Sequence, residues 1–227
     1  MASVVRSVVD GVWEVSIGYV HAHVFEADEG LVLVDTGTPG KAGRIDGALR
    51  DIGRSVEDIR TILLTHWHFD HIGTLGEIVR RSGATVLAHA TDAAVIDGSK
   101  PPQLTWIMKI TAPFMGKPAL APVDRHLDGD GPTGVPGVTA LHTPGHTAGH
   151  VSYLLGRHGG VLFAGDVATN LSGRIRRPPK PVTPDMPTNE ASMRRLADLE
   201  FDTVVFGHGK ALVGGAAGRF REFVATL

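Results

Sequence analysis

The feature that most constrains this chain is Thr65-His66-Trp67-His68-Phe69-Asp70-His71, set directly behind the apolar run Ile59 to Leu64. Three His and one Asp fall within six positions, 66 to 71. An apolar strand ends in an interior, and an interior does not tolerate that many unpaired polar groups. A cation that takes the imidazole and carboxylate lone pairs resolves the conflict. His66 and His68 are two residues apart, so on an extended strand exit they point the same way and suit one ion. Asp70 and His71 open the next turn and can address a second ion. Imidazole and carboxylate without thiolate suit Zn²⁺, Fe or Mn²⁺ in a catalytic site rather than a closed structural one.

Composition narrows the setting. The chain has 227 residues, 42% hydrophobic and 20% charged, a globular balance that we read as one domain over residues 1–227. The formal net charge of -2 gives no reason to bind nucleic acid or an anionic membrane. With no Cys, disulfides, thiolate metal sites and Cys nucleophiles are excluded, and the cytoplasm is the expected compartment. Arg6, Asp10 and Glu14 interrupt the N-terminal stretch 1–14, which therefore reads as neither a signal peptide nor a membrane span.

Short β-type runs are expected at 3–9, 21–26, 31–34, 59–64, 85–88, 135–141, 151–155, 161–164 and 203–206. Helical patterns cover 40–52, 73–82, 91–97, 189–199 and 215–226. The mixture is an α/β layered fold. An internal echo accompanies it: the strands ending at Asp35 and Asp166 are each followed, after a helical stretch, by a strand leading to His66 or His208. Two such halves would bring Asp and His strand ends to one rim. Two segments read as irregular, 100–122 with prolines at 101, 102, 113, 118 and 122, and 174–187 with five prolines; both are candidate lids or pocket walls. For Trp106, Met108, Phe114 and Met115, packing or a dimer contact is preferred over substrate binding, which leaves monomer and homodimer both open. Arg174, Arg176, Arg177 and Lys180 read as a solvated loop.

At this point the residues resemble the H-x-H-x-D-H signature of the metallo-β-lactamase superfamily. The other elements of that family occur here in its order: Thr143-Pro-Gly-His146-Thr-Ala-Gly-His150, then Phe163-Ala-Gly-Asp166, then Phe206-Gly-His208. Asp35 in Val34-Asp35-Thr-Gly37 matches an acidic strand end that supports the ligands from behind, so the resemblance runs from about residue 20 to 210. It implies an αββα four-layer sandwich with the site on one edge. His66, His68 and His146 are implied as ligands of one divalent ion and Asp70, His71 and His208 as ligands of a second, with Asp166 bridging; Zn is the first expectation, Mn or Fe the alternatives. The implied activity is hydrolysis of an ester, lactone, thioester or related bond in a small molecule by a hydroxide held between the two ions. Asp70 is also the candidate catalytic acid/base.

Within the family, Asp at 166 and the lack of Cys set the chain apart from β-lactam hydrolases. Only 19 residues follow His208, too few for the helical substrate domain of glyoxalase II, and 167–171 lacks the Tyr that many quorum-quenching lactonases place there. The alternatives are a persulfide dioxygenase using one iron on His66, His146 and Asp166, and a non-catalytic metal-stabilised binding protein. Of the remaining His, His142 and His150 are expected to be structural hydrogen-bonders. His21, His23, His89, His126 and His158 carry no role, although His21 or His23 is placed to line the pocket.

Overall fold

The computed structural model describes residues 4–227; Ser3, the first residue of the expected 3–9 strand, lies outside them. In chain order the strands are β1 (Val5–Val9), β2 (Val12–Ile17), β3 (Val20–Ala27), β4 (Gly30–Val34), β5 (Ile59–Leu63), β6 (Thr85–His89), β7 (Arg125–Leu127), β8 (Gly131–Pro132), β9 (Val138–His142), β10 (Val151–Leu155), β11 (Val161–Phe163), β12 (Thr203–Val205) and β13 (Leu212–Val213). The α-helices are α1 (Ala42–Asp51), α2 (Phe69–Ile72), α3 (Leu75–Ser82), α4 (Ala90–Ile96), α5 (Trp106–Met115), α6 (Met186–Ala197) and α7 (Ala216–Val224).

The strands form two sheets, β1 to β7 in sequential order and β13-β12-β11-β10-β9-β8. Side chains alternate across each strand, and the apolar burial follows that alternation. On β4, Leu31 and Leu33 enter a core shared with Ile45 and Leu49 of α1 and Ile78 of α3. Val32 and Val34 of the same strand enter a second core with Phe25, Tyr153, Phe163 and Val205, between the sheets. Leu162 and Val204 turn away from that core into a third, with Met193 and Leu196 of α6 and Phe220 of α7. Three cores separate four layers, helix, sheet, sheet, helix. That is the expected αββα sandwich, and it explains why the central strands read as unbroken apolar runs.

The echo has a structural counterpart. β4 pairs in parallel with β5, and β11 in parallel with β12. Their carboxyl ends lead to Asp35, the 65–71 segment, Asp166 and His208, and crevices at such strand ends are where α/β folds place their sites. Backbone bonds join the two sheets at this edge, from Val151 N to Thr65 O at 2.8 Å and from His21 N to Gly207 O at 2.8 Å.

Two expectations need correction. Segment 100–122 is not irregular throughout: Thr105 caps α5 by accepting the Met108 N–H, and Pro113 is accommodated close to the helix end. Proline removes one amide donor, and late in a short helix that costs a single bond. β2 was also not expected; its mixed sequence Val-Trp-Glu-Val-Ser-Ile is held between two antiparallel neighbours rather than by a periodic signal of its own.

Candidate metal centre

The seven residues of the expected ligand set meet at the shared sheet edge. Their donor atoms form three groups, His66 with His68 and His146, His66 with His71 and Asp166, and Asp70 with His71 and His208; within each group the atoms lie within 4.8 Å of one another. Asp166 stands between the groups, with carboxylate oxygens 3.5 Å from His71 Nε2, 3.5 Å from His146 Nε2 and 3.1 Å from His208 Nε2.

Four of the five imidazoles are oriented from behind. Asp35 accepts the Thr65 N–H at 2.8 Å and the Thr65 hydroxyl at 2.7 Å, and its Oδ2 accepts the His71 Nδ1–H at 2.8 Å. Because the Thr65 hydroxyl is donated to Asp35, its lone pair faces His66 Nδ1, 3.0 Å away. His146 Nδ1 meets the Thr183 hydroxyl at 3.0 Å, and His208 Nδ1 donates to the Tyr19 carbonyl at 2.9 Å. In these four rings one nitrogen is pinned outward and the other faces the cluster, the arrangement that fixes a metal-ligating tautomer. His68 presents Nδ1, 3.0 Å from His146 Nε2.

The inward atoms test whether a cation fits. His66 Nε2, His71 Nε2 and Asp166 Oδ1 are buried without a hydrogen-bond partner. Such atoms are costly in an interior unless something takes their lone pairs, and a divalent cation does so. Burial, followed by the neighbouring imidazoles, pushes the pKa of His66 and of His146 well below 6.5, so both are neutral and free to ligate. Burial also opposes charge on His71 and His208, but there Asp166 outweighs it, holding His71 well above 6.5 and raising His208 to about 9. The Asp166 carboxylate thus favours positive charge at this spot. The donor set fits a divalent metal.

Two positioning groups were not foreseen. Asp92, buried at the start of α4, accepts the Trp67 N–H at 3.2 Å, the Thr147 hydroxyl at 2.7 Å and the Gly149 N–H at 2.9 Å, tying the His66–His71 segment to the His146 turn. Burial raises its pKa to about 6. Tyr19, at the β2–β3 turn, stacks on His208 with centroids 5.7 Å apart. Nothing local in the sequence pairs Asp92 or Tyr19 with residues so far away in the chain. His150 and His142 do hydrogen-bond structurally: His150 Nε2 accepts the Asp166 N–H at 3.0 Å while Nδ1 meets Thr143, and His142 Nε2 donates to Ala148 O at 2.9 Å.

The cluster opens into a cavity of about 520 Å³. Tyr19, Trp67, Phe69, Leu104, Met108, Met115, Leu171, Pro179 and Val182 line it around His68, Asp70, His146, Asp166 and His208. Neither His21 nor His23 lines it; His23 turns into the interior against Phe163. The expectation for the aromatic and Met residues divides by helix face. Met108 and Met115 face the cavity, whereas Trp106, at 66% exposure, and Phe114, at 89%, face outward. The basic residues of 174–180 are solvated, with Arg177 paired to Glu190 at 2.6 Å.

The four-layer αββα sandwich carries a His- and Asp-built cation site at its strand ends, and comparison with known proteins places it among metal-dependent hydrolases. The family model of the metallo-β-lactamase superfamily matches residues 15–208, and the chain belongs to that superfamily. It is 30% identical over 206 residues to the probable metallo-hydrolase YflN of Bacillus subtilis, covering 81% of this chain and 77% of that protein. An N-acyl homoserine lactonase from a Bacillus species is 28% identical over 165 residues, covering 60% of this chain and 58% of the lactonase. Among solved structures, a subclass B3 metallo-β-lactamase with an active-site glutamic acid superposes with a TM-score of 0.73 at 25% identity, covering 98% of this chain and 89% of that one. Among the described residues no helix is long and apolar enough to cross a membrane.

Proposed function

We propose that this chain, acting as one catalytic unit, hydrolyses an ester, lactone or thioester of a small molecule with an apolar portion, at a site for two divalent ions, Zn²⁺ first among them. The observation that carries this is the set of inward-facing, partnerless donor atoms on His66, His71 and Asp166 beneath an apolar cavity. His66, His68 and His146 would hold one ion and Asp70, His71 and His208 the other, with the Asp166 carboxylate between the two groups. Such ions supply electrophilic polarisation of the substrate's carbonyl oxygen and acidify water.

The chain's own residues do the rest. Trp67, Phe69, Leu104, Met108 and Met115 bury the apolar part of the substrate and exclude bulk water, which strengthens the electrostatics at the cluster. The Asp70 carboxylate, at the cavity wall 3.6 Å from His208 Nε2, takes the proton of the attacking water and returns it to the leaving group. The lactonase among the relatives supports a lactone or ester, and relatives named as hydrolases favour hydrolysis over oxygen-dependent thiol chemistry.

The test combines elemental analysis of protein purified without added metal, a lactone, ester and thioester panel, and Asp70→Asn. About two Zn or Mn per chain, panel turnover, and a loss of at least about 100-fold in kcat in the variant are expected. One Fe per chain with oxygen-dependent thiol oxidation, or near-normal kcat in Asp70→Asn, overturns the proposal.

A further inference from the structure

Helix α5 is apolar on two faces. Met108, Ala112 and Met115 line the cavity, while Trp106, Ile110 and Phe114, spaced four apart, form an outward stripe at 66%, 57% and 89% exposure. A helix that is apolar on both sides needs cover for the second. Single exposed apolar residues are ordinary, but these are not scattered. Of the seven large apolar side chains exposed among the described residues, Trp106, Ile110, Phe114 and Leu120 belong to segment 98–123, Leu171 to segment 167–184, and Tyr19 to the cavity wall. Only Val213 falls outside this group.

Charge divides the same way. Segment 98–123 holds Lys100, Lys109 and Lys117, segment 167–184 holds Arg174, Arg176, Arg177 and Lys180, all are exposed, and neither segment has an Asp or Glu. The formal net charge of -2 conceals this, because the rest of the chain carries 15 Lys and Arg against 24 Asp and Glu. Among the described residues, only Arg177 of these seven forms an ion pair, with Glu190. The two segments face each other across the cavity, which Leu104 and Met108 border on one side and Leu171 and Val182 on the other. A second copy of the chain is a poor cover, since a two-fold contact of α5 with α5 sets the lysines of one copy against those of the other. An anionic lipid surface answers both features, taking the apolar stripe at its acyl boundary and the basic residues at its headgroups.

We propose that the mouth of the cavity is a docking face for an anionic lipid surface, entered by Trp106, Ile110 and Phe114 and held by the basic residues of both segments. Docked in this way, the cavity opens onto the lipid. The substrate is then an acyl ester, lactone or thioester dissolved in that lipid, a consequence that rests on the hydrolase reading proposed above.

The experiment is co-sedimentation of the full chain with vesicles of phosphatidylcholine mixed with phosphatidylglycerol, and of phosphatidylcholine alone. It compares wild type with the paired substitutions Trp106→Ser, Phe114→Ser and Lys109→Glu, Lys117→Glu. Wild type should partition onto the mixed vesicles and less onto phosphatidylcholine alone, and high salt should weaken the binding. Each pair of substitutions should weaken partition by about 10-fold or more, with urea midpoints unchanged because the side chains are exposed. Wild type that stays in solution, or either pair partitioning like wild type, overturns the proposal. So does a dimer by light scattering that Trp106→Ser with Phe114→Ser converts to monomer, which assigns the stripe to a second copy. Partition is read without turnover: binding with no hydrolysis of the panel leaves the docking face standing and removes the hydrolase reading, and hydrolysis without binding does the reverse.

Discussion

Asp35 is the residue whose replacement should report most directly on how the site is built. It is buried, sits at a φ of 59°, and accepts three hydrogen bonds, two from Thr65 and one from His71. Asp35→Ala leaves the Thr65 N–H and the His71 Nδ1–H buried without acceptors, at about 1–3 kcal/mol each. Left-handed backbone adds about 1 kcal/mol for a residue lacking the short polar side chain that tolerates it. The expected loss is about 3–7 kcal/mol. Asp35→Asn keeps the tolerated backbone and one acceptor oxygen but turns an amide donor toward a donor, so about 2 kcal/mol is expected. Both variants release His71, and loss of such an outer partner weakens metal binding by about 10–100-fold. Urea unfolding of the metal-free protein measures the first effect and Zn²⁺ titration the second. An Asp35→Ala protein within about 1 kcal/mol of wild type, or one with unchanged Zn²⁺ affinity, would refute the reasoning.

Three further outcomes follow from the same geometry. A Cβ at Gly207 would collide with Asp166 Oδ1 and lie 2.6 Å from His71 Cε1, so Gly207→Ala should displace both and lower kcat/KM by about 100-fold while the chain remains folded; steady-state kinetics with circular dichroism decides it. His23 is buried with Nε2 unpartnered, and burial holds its pKa well below 6.5. As the pH falls below that value the unfolded chain takes up a proton that the native chain refuses, so stability falls with acidification. His23→Leu should remove up to about 1.4 kcal/mol per pH unit of that slope, read from urea midpoints between about pH 6 and 5, and an identical slope in the variant would count against it. Met108→Trp narrows the cavity, so relative kcat/KM across an ester series should shift toward shorter acyl chains; an unchanged ranking would place the apolar part of the substrate elsewhere.

What was legible in the sequence was local. The dense His and Asp segment behind β5, the Asp at the ends of β4 and β11, and the His turns before β10 and after β12 are short patterns, each read within a few neighbouring residues, and the structure brings all seven candidate ligands to one edge. Apolar runs at strand and helix spacing identified the central strands and five of the helices for the same reason, since their periodicity is a property of the chain itself. What escaped was set by contacts across the chain. β2 is a strand because β1 and β3 flank it, and α5 exists despite Pro113, its inner face against the cavity. Tyr19 and His208 are partners 189 positions apart. Asp92 and Gly149 are 57 apart. No spacing rule joins such pairs. Only the stacking of two sheets, driven by burial of their inner faces, brings the β2–β3 turn, the start of α4 and the proline-rich segment around Thr183 to the segments that carry the candidate ligands.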